Sequence, residues 1–160
     1  MASGERRRVF AAASSIASGR PSRRAQIAAI RAHGEATYPN ECCGLLIGRT
    51  EADGRKVVVE TYPLVNAIPE GKQHDRTLIT PLDLMKGEKY ARSKGLDVIG
   101  NYHSHPDWPA EGSQFDLEHA WPVWSYIIVS VPAGKSTDLF SWEMEPDRSR
   151  FNAEELIIEG

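Results

Sequence analysis

Residues 96–106, LDVIGNYHSHP, are the segment that most constrains the fold of this 160-residue chain. An apolar run that ends at a proline is typical of a strand that stops there, because proline cannot donate to a sheet ladder. Side chains at positions i and i+2 of a strand point to the same face, so His103 and His105 can converge on one ion. The sequence therefore predicts a strand whose last residues offer two imidazoles to a single site.

Two further polar residues follow in a predicted short helix over residues 113–121. Ser113 and Asp116 stand at i, i+3 spacing on one helix face, so Asp116 can supply a third ligand. Two histidines, one carboxylate and an open fourth position are what a catalytic zinc site retains. His119 is a rival ligand at the same spacing from Asp116, although a fourth protein ligand would close the open position. A role for Ser113 as helix cap alone stays open, because S-x-x-D is also a capping pattern.

The complete spacing H-x-H-P-x6-S-x2-D, which begins at His103, resembles the signature of the JAMM (MPN-plus) metallopeptidases, the family of the proteasomal deubiquitinase. Upstream, residues 38–48 (YPNECCGLLIG) resemble the family segment in which a glutamate, here Glu41, precedes a Cys-Gly-Leu strand. Downstream, the resemblance extends through residues 126–131 (YIIVSV), so that it covers about residues 24–155.

The flanking residues 74–76 and 115–122 are similar to those of the compact bacterial members of this family. Two departures concern the loop between the histidines and the serine. Gly112 stands where many members have a proline, and Asp107 makes the loop more acidic. Neither departure removes a catalytic position.

The resemblance implies an α/β fold, a single mixed-sheet MPN domain in which helices flank a curved sheet, as in cytidine deaminases. We expect this domain over residues 22–160, preceded by a basic, flexible leader over residues 1–21. The apolar run in the leader is short and interrupted by serines, which argues against an export signal.

The resemblance also implies a role for each matching position. His103, His105 and Asp116 would bind one zinc ion per chain, Glu41 would be the general acid/base, and Ser113 would help to hold the oxyanion. A carboxylate beside the metal's water must accept a proton and pass it to the departing amine. Glu41 is therefore expected next to the ligand set and not within it.

The implied activity is hydrolysis of the peptide or isopeptide bond at the C-terminus of a ubiquitin-like protein, either a sulfur carrier or a conjugated modifier. The implied partner is a β-grasp protein whose glycine-rich C-terminal tail lies beside an exposed strand, in strand-addition mode. Two alternatives remain, namely a non-catalytic MPN interaction module and a zinc-dependent amidase or deaminase of small molecules. The absence of paired P-C-x-x-C ligands counts against the deaminase.

Hydrophobic periodicity, helix-capping residues, and proline and glycine positions predict the remaining helices and strands. A first helix begins after Ser22 as N-cap and is stopped by Pro39, and the clearest helix has Thr80 as N-cap, Pro81 at its first position and Gly95 as its stop. The predicted strands cover residues 42–49 and 55–65, joined as a hairpin, then 74–80, 125–131 and 138–145.

Composition narrows the partners and the compartment. The formal net charge of −3 gives no case for a nucleic-acid partner, and no stretch approaches the ~20 apolar residues of a membrane span. Cys42 and Cys43 are the chain's two cysteines, and adjacent Cα atoms, about 3.8 Å apart, are too close for the usual disulfide span of about 4.4–6.8 Å. This suits a reducing, cytoplasmic location. Strand alternation predicts Cys43 in the core and Cys42 on the opposite face, near the cleft.

Overall fold

The computed structural model describes residues 8–11 and 23–158 and shows three α-helices and seven strands within them. The helices are α1 (Arg23–Thr37), α2 (Pro81–Ser93) and α3 (Gln114–Glu118). The strands are β1 (Arg8–Ala11), β2 (Cys43–Thr50), β3 (Lys56–Leu64), β4 (Asp97–Pro106), β5 (Ser125–Val131), β6 (Leu139–Met144) and β7 (Phe151–Ile158). A 3₁₀ turn, Pro132–Gly134, separates β5 from β6.

The strands form one closed barrel in the order β1-β3-β2-β4-β5-β6-β7, with β1 also paired to β7. The β1–β3, β1–β7 and β4–β5 pairs are parallel, and the other pairs are antiparallel. This confirms the predicted mixed α/β sheet. Because β4 lies between β2 and β5, His103 has sheet partners on both sides, whereas His105 is paired with β5 alone.

Strand β1 lies within the segment predicted as a leader. All four of its residues pair in parallel with β7 and three of them with β3, which closes the barrel. Four residues are too few for a strand periodicity to be recognised in a sequence. Residues 1–7 and 12–22, which include the predicted cap Ser22, lie outside the described residues, so the leader remains a prediction for them.

The structure confirms the β2–β3 hairpin and the predicted signals of α2. The hydroxyl of Thr80 accepts a hydrogen bond from the backbone N–H of Asp83 at 3.1 Å, which satisfies one of the unpaired donors of the helix start. Gly95 lies just beyond the helix with φ of 69°, a left-handed conformation that glycine adopts without steric cost. Among the described residues, no helix combines the length and apolar composition that crossing a membrane requires.

The prediction of a strand over residues 74–80 is wrong, because His74 lies in a turn, Asp75 lies in a bend, and residues 76–80 belong to no sheet. The side chain of Asn66 takes the hydrogen bonds that a neighbouring strand would make. Its Oδ1 accepts from the N–H of Leu78 at 3.2 Å and its Nδ2 donates to the carbonyl of Arg76 at 2.8 Å. The segment therefore lies outside the barrel.

Strand β7 was not predicted, because its carboxylates conceal its β-pattern. Glu154 points inwards and is only 8% exposed. Its Oε2 accepts a hydrogen bond from the hydroxyl of Ser125 at 3.3 Å, and that hydroxyl also accepts one from the Nζ of Lys56 at 2.9 Å. A buried polar network thus joins β3, β5 and β7 inside the barrel.

The two cysteines occupy opposite faces of the sheet, as alternation predicts, but their assignment is reversed. Cys42 belongs to the main core cluster with Leu46 and Tyr102. Cys43 lies directly opposite His103 in the antiparallel β2–β4 pair and lines a cavity beside it. Both side chains are 1% exposed. Which cysteine faces the site is decided by the pairing register between β2 and β4, and the sequence of β2 alone does not reveal that register.

Candidate metal centre

Three donor atoms meet at the end of β4. The Nε2 atoms of His103 and His105 lie 3.1 Å apart, and the Oδ2 atom of Asp116 lies 3.2 Å from the first and 3.1 Å from the second. All three side chains are at least nine-tenths buried. The i, i+2 spacing on β4 and the helical position of Asp116 therefore bring the three candidate ligands to one point.

The donor triangle has the size that a tetrahedral ion requires. Ligand atoms at about 2.0–2.2 Å from zinc in tetrahedral geometry lie roughly 3.3–3.6 Å from one another. The observed separations of 3.1–3.2 Å are within a few tenths of an ångström of that range. Nitrogen and carboxylate oxygen donors are also the ligand types that zinc accepts.

His105 is held in the tautomer that a ligand needs. Its Nδ1 lies 2.8 Å from the carbonyl oxygen of Pro109, which can only accept, so Nδ1 carries the hydrogen. Whenever the ring is neutral, Nε2 therefore carries the lone pair, and Nε2 faces His103 and Asp116. An electron-rich cluster of this kind is stabilised when a cation occupies it. Ligand histidines commonly have such a carbonyl partner on the other ring nitrogen.

The start of α3 positions Asp116 through a capping box. The backbone N–H of Ser113 donates to Asp116 Oδ2 at 2.8 Å, and the N–H of Asp116 donates to the Ser113 hydroxyl at 3.1 Å. Burial acts to raise the pKa of Asp116, but the charges and hydrogen bonds of His103 and His105 outweigh it and hold this pKa well below its usual range. Ser113 is thus a helix cap whose hydroxyl hydrogen is not used by the cap.

Glu41 is a buried carboxylate beside this cluster. It is 2% exposed, its Oε1 lies 4.0 Å from His105 Nε2, and neither of its oxygens has a hydrogen-bond partner among the described residues. Burial, together with the negative charges of Asp116 and Asp75, raises the pKa of Glu41 to about 9. Burying an unpaired carboxylate is costly, so this arrangement points to a partner that the protein's own side chains do not supply.

Two backbone contacts hold Glu41 in place. Its N–H donates to the carbonyl of Gln73 at 2.7 Å, and its carbonyl accepts from Asn66 Nδ2 at 3.3 Å. The sequence did not predict roles for Asn66, Gln73 and Pro109. The contacts of Gln73 and Pro109 are made by backbone carbonyls, which no residue type signals, whereas Asn66 directly follows the predicted hairpin and is a typical loop-organising residue.

Glu41, His103 and His105 each offer a ligand atom within 4.8 Å of the other two, so these buried residues could hold a metal ion. Asp116 is closer to both histidines than Glu41 is, at 3.1–3.2 Å against 4.0 Å for Glu41 and His105. His119 lies outside the described cluster of donors, and its Nδ1 donates instead to the carbonyl of Phe115 at 2.8 Å.

A cavity lies on each side of the donor set. One, of about 420 Å³, reaches His103 and Asp116 and is walled by apolar and aromatic residues, among them Leu84 and Trp124. The other, of about 570 Å³, contains Glu41, His105 and Ser113. Each cavity also has one exposed tryptophan, Trp121 in the first and Trp108 in the second, and their side chains are 58% and 62% exposed.

Similarity to known proteins agrees with this arrangement. Residues 23–145 match the family model of the prokaryotic homologs of the JAB domain. The desampylase of Haloferax volcanii is 33% identical over 100 residues, which are 62% of this chain and 68% of that protein. A probable TtuB-protein conjugate cleaving protease of Thermus thermophilus is 36% identical over 99 residues, 61% of each chain, so this match spans less than two thirds of that relative.

Solved structures show the same fold. The solution structure of a protein from Desulfitobacterium hafniense has a TM-score of 0.74 and 28% identity, and the match covers 95% of this chain and 92% of that one. The family model extends over the segment of Glu41, both histidines and α3. The chain therefore belongs to the family of prokaryotic homologs of the JAB domain, as the spacing that begins at His103 predicted.

Proposed function

We propose that this protein is a zinc-dependent peptidase or isopeptidase that cleaves the bond at the C-terminus of a ubiquitin-like protein. The observation that carries this proposal is the unpaired, buried carboxylate of Glu41 beside three converging donors. The names of the two relatives, a desampylase and a probable conjugate-cleaving protease, support the same reaction class.

In this proposal His103, His105 and Asp116 hold one zinc ion per chain. Bound zinc polarises a carbonyl oxygen and lowers the pKa of a water molecule on it from about 15.7 towards about 7. The donor triangle and the Nδ1 contact of His105 support the assignment. Asp116 is assigned as the third ligand because it lies closer to the histidines than Glu41 does.

Glu41 acts as the proton carrier. It would accept a proton from the attacking water and pass it to the nitrogen of the leaving amine. Its pKa, raised to about 9 by burial and by Asp116 and Asp75, falls again when a cation lies nearby. Glu41 could then exchange a proton close to neutral pH, which is what a general acid/base needs.

Ser113 stabilises the oxyanion. The cap uses its oxygen as an acceptor, so its hydroxyl hydrogen can be donated to the substrate carbonyl oxygen as negative charge develops there. Removing one such donor typically costs about 10²–10³ in rate. Cap and oxyanion donor are therefore compatible roles for one side chain.

The position of Glu41 suggests how a substrate lies across the site. Because the leaving amine must reach Glu41, we assign it to the 570 Å³ cavity that Glu41 borders. The acyl side, which is the tail of the ubiquitin-like protein, then lies in the 420 Å³ cavity.

The closed barrel changes where the tail can add as a strand. We place the tail along residues 77–79, which line the 420 Å³ cavity, rather than beside an exposed strand of the sheet. The backbone N–H and carbonyl of Leu78 are bonded to Asn66 and Ala67, so the pairing proposed for the tail uses the backbone groups of the two neighbouring residues. Main-chain pairing gives affinity without requiring large side chains, which suits a glycine-rich tail.

Two free, buried thiols fit a cytoplasmic location.

The test is hydrolysis of tailed substrates by zinc-loaded protein. A panel of β-grasp proteins, each joined through its C-terminal glycines either to a peptide or to a lysine side chain, would be incubated with wild-type protein and with Glu41→Gln. We expect release of a β-grasp protein ending at its glycine, observed by intact-mass spectrometry, with wild type only. Stoichiometric zinc without cleavage of any panel member would instead favour the non-catalytic interaction module.

A further inference from the structure

Asp107, which directly follows the strand of the two histidines, makes an unusual set of contacts. Its φ of 61° is in the left-handed region, which few residues other than glycine adopt, although aspartate tolerates it better than most. Its Oδ2 accepts a hydrogen bond from the Tyr38 hydroxyl at 2.8 Å, and its Oδ1 accepts one from the N–H of Ala133 at 2.7 Å. Its own N–H donates to the carbonyl of Val131 at 3.2 Å.

This carboxylate joins three segments around the candidate site. Tyr38 lies just beyond α1 and three residues before Glu41. Ala133 belongs to the turn that follows β5, and Asp107 itself lies two residues after His105. One exposed side chain therefore ties the segment of the proposed proton carrier to the segment of a proposed ligand.

The loop held by Asp107 also carries the carbonyl that orients His105. Residues 107–112 form no helix or strand, and their carbonyls are fixed by separate contacts. The Pro109 carbonyl accepts from His105 Nδ1, and the Ala110 carbonyl accepts from the indole N–H of Trp142 at 2.9 Å. Between these residues, the Trp108 carbonyl accepts a hydrogen bond from the Ser130 hydroxyl, and the Trp108 N–H donates to the His105 carbonyl at 3.4 Å. Because Asp107 is only two peptide units from Pro109, we expect that loss of its contacts displaces the Pro109 carbonyl relative to the His105 ring.

On the inner side, the same two segments are tied by the sheet. The N–H of Cys42 donates to the Ser104 hydroxyl at 2.8 Å, and the N–H of Ser104 donates to the carbonyl of Cys42 at 3.3 Å. A single contact between the Glu41 segment and the β4 segment would let one rotate relative to the other. Contacts at Tyr38 and at Cys42, on either side of Glu41 in the sequence, restrict that rotation. The Tyr38–Asp107 contact is the outer tie.

We infer that Tyr38 and Asp107 are positioning residues that set the placement of Glu41 relative to His105 and hold the Pro109 carbonyl against the His105 ring. This inference rests on the proposed metal site and reaction. Removing a group that orients a metal ligand typically costs about 10–100-fold in metal affinity or activity. A misplacement of about 1 Å can cost about 10²-fold in rate.

The test compares three variants of the Tyr38–Asp107 contact with two control variants. Asp107→Gly removes both hydrogen bonds while glycine keeps the left-handed φ without strain. Tyr38→Phe removes one bond only. Asp107→Asn keeps an acceptor for the Ala133 N–H, and its side-chain NH2 can donate to the Tyr38 hydroxyl oxygen, so both contacts can be made with the second one reversed. The controls are Glu35→Gln and Ser136→Ala. The Ser136 hydroxyl donates to Glu35 Oε1 at 2.8 Å, which joins α1 to the segment after β5. This contact resembles the one between Tyr38 and Asp107 but does not involve residues 107–112.

The readouts are the zinc dissociation constant by chelator competition, the melting temperature, and kcat and KM on a tailed substrate. For Asp107→Gly we expect zinc binding weakened about 10-fold and kcat lowered at least about 10-fold, with KM within about 2-fold. For Tyr38→Phe we expect a similar loss of kcat, with the zinc dissociation constant within about 2-fold of wild type. Asp107→Asn should have a kcat and a zinc affinity close to those of wild type.

The controls decide the outcome. If Asp107→Gly and Tyr38→Phe match Ser136→Ala in zinc affinity and kcat, the inference is wrong and the contact is only structural. If Asp107→Gly does not fold, Tyr38→Phe alone decides through the ratio of its kcat to that of Ser136→Ala. If wild type cleaves no substrate, the proposed function fails, but weaker zinc binding by Asp107→Gly than by Glu35→Gln would still support the role of Asp107.

Discussion

The Oε1 atom of Glu41 lies 4.0 Å from the Nε2 atom of His105, and both side chains are buried. The carboxylate is too far to share the donor triangle, whose sides are 3.1–3.2 Å, and close enough to exchange a proton with a group bound at it. In the proposed mechanism, β4 carries two of the ligands and the α1–β2 connection carries the neighbouring acid/base, so the two roles fall on different segments of the fold.

Changing Asp116 to Asn should remove zinc while largely keeping the start of α3. The amide oxygen can still accept from the Ser113 N–H, which the carboxylate does at 2.8 Å, but it lacks the charge that a zinc ligand supplies. We expect zinc content to fall from about one ion per chain to well below half, measured by elemental analysis after dialysis. Asp147→Asn, an exposed aspartate outside the described metal cluster, is the control. Full zinc content in the Asp116 variant would contradict its role as a ligand.

Changing Ser113 to Ala should lower both stability and rate. Loss of the N-cap hydrogen bond costs about 1 kcal/mol, and loss of the oxyanion donor costs about 10²–10³ in kcat. Thr80→Ala is the matched control, because Thr80 caps α2 with the same 3.1 Å hydrogen bond and contributes nothing to the proposed chemistry. Thermal unfolding and steady-state kinetics separate the two effects. Equal kcat in the two variants would leave Ser113 as a cap alone.

The two thiols should be inert in the folded protein. Burial raises the pKa of Cys42 to about 11 and that of Cys43 to about 12, so both are protonated at neutral pH. We expect no reaction with Ellman's reagent under native conditions and two thiols per chain after unfolding. A rapid native reaction would show that the β2 strand opens.

The same thiols predict how stability depends on pH. In the unfolded chain these thiols ionise near the ordinary cysteine pKa of about 9, whereas in the folded chain burial raises their pKa to about 11 for Cys42 and about 12 for Cys43. Above pH 9 the unfolded state thus binds fewer protons, so the free energy of unfolding should fall as pH rises, by up to about 1.4 kcal/mol per pH unit for each thiol. Urea titrations between pH 8 and 10.5 measure this, and Cys42→Ala should reduce the slope. An unchanged slope in that variant would refute the thiol contribution.

The two exposed tryptophans should affect different halves of the substrate. In the 420 Å³ cavity, Trp121→Ala is expected to raise KM several-fold for every substrate with the same tail, because this cavity is assigned to the acyl side. In the 570 Å³ cavity, Trp108→Ala should raise KM more for a protein leaving group than for a short peptide. Kinetics with one tail and two leaving groups test this. The opposite pattern would reverse the proposed orientation.

Local patterns were sufficient for much of the site. The i, i+2 histidines before Pro106 and the i, i+3 pair at the start of α3 each carry their own geometry, so their convergence could be predicted. Glu41 has no such local pattern, and only its place in the family segment drew attention to it. Its burial beside His105 depends on the β2–β4 register and on contacts from Asn66 and Gln73.

Most of the failed predictions depend on a partner outside the segment concerned. Residues 74–80 have strand-like composition, but Asn66 takes their hydrogen bonds. Strand β7 was not predicted because Glu154, a charged residue type, is buried against Ser125. Strand β1 was not predicted because it has only four residues. Which cysteine faces the site depends on the opposition of Cys43 and His103. None of these facts can be read from the segment concerned.

The most direct test of the account is to measure zinc content and turnover in the same preparations of wild type and Glu41→Gln. Wild type should contain about one zinc ion per chain and cleave a tailed β-grasp substrate. Glu41→Gln should contain the same amount of zinc and turn over at least about 10²-fold more slowly, since general acid/base groups contribute about 10²–10⁴. A Glu41→Gln protein that keeps zinc and wild-type turnover would contradict the assignment of Glu41 as the proton carrier, and loss of zinc from it would place Glu41 among the ligands.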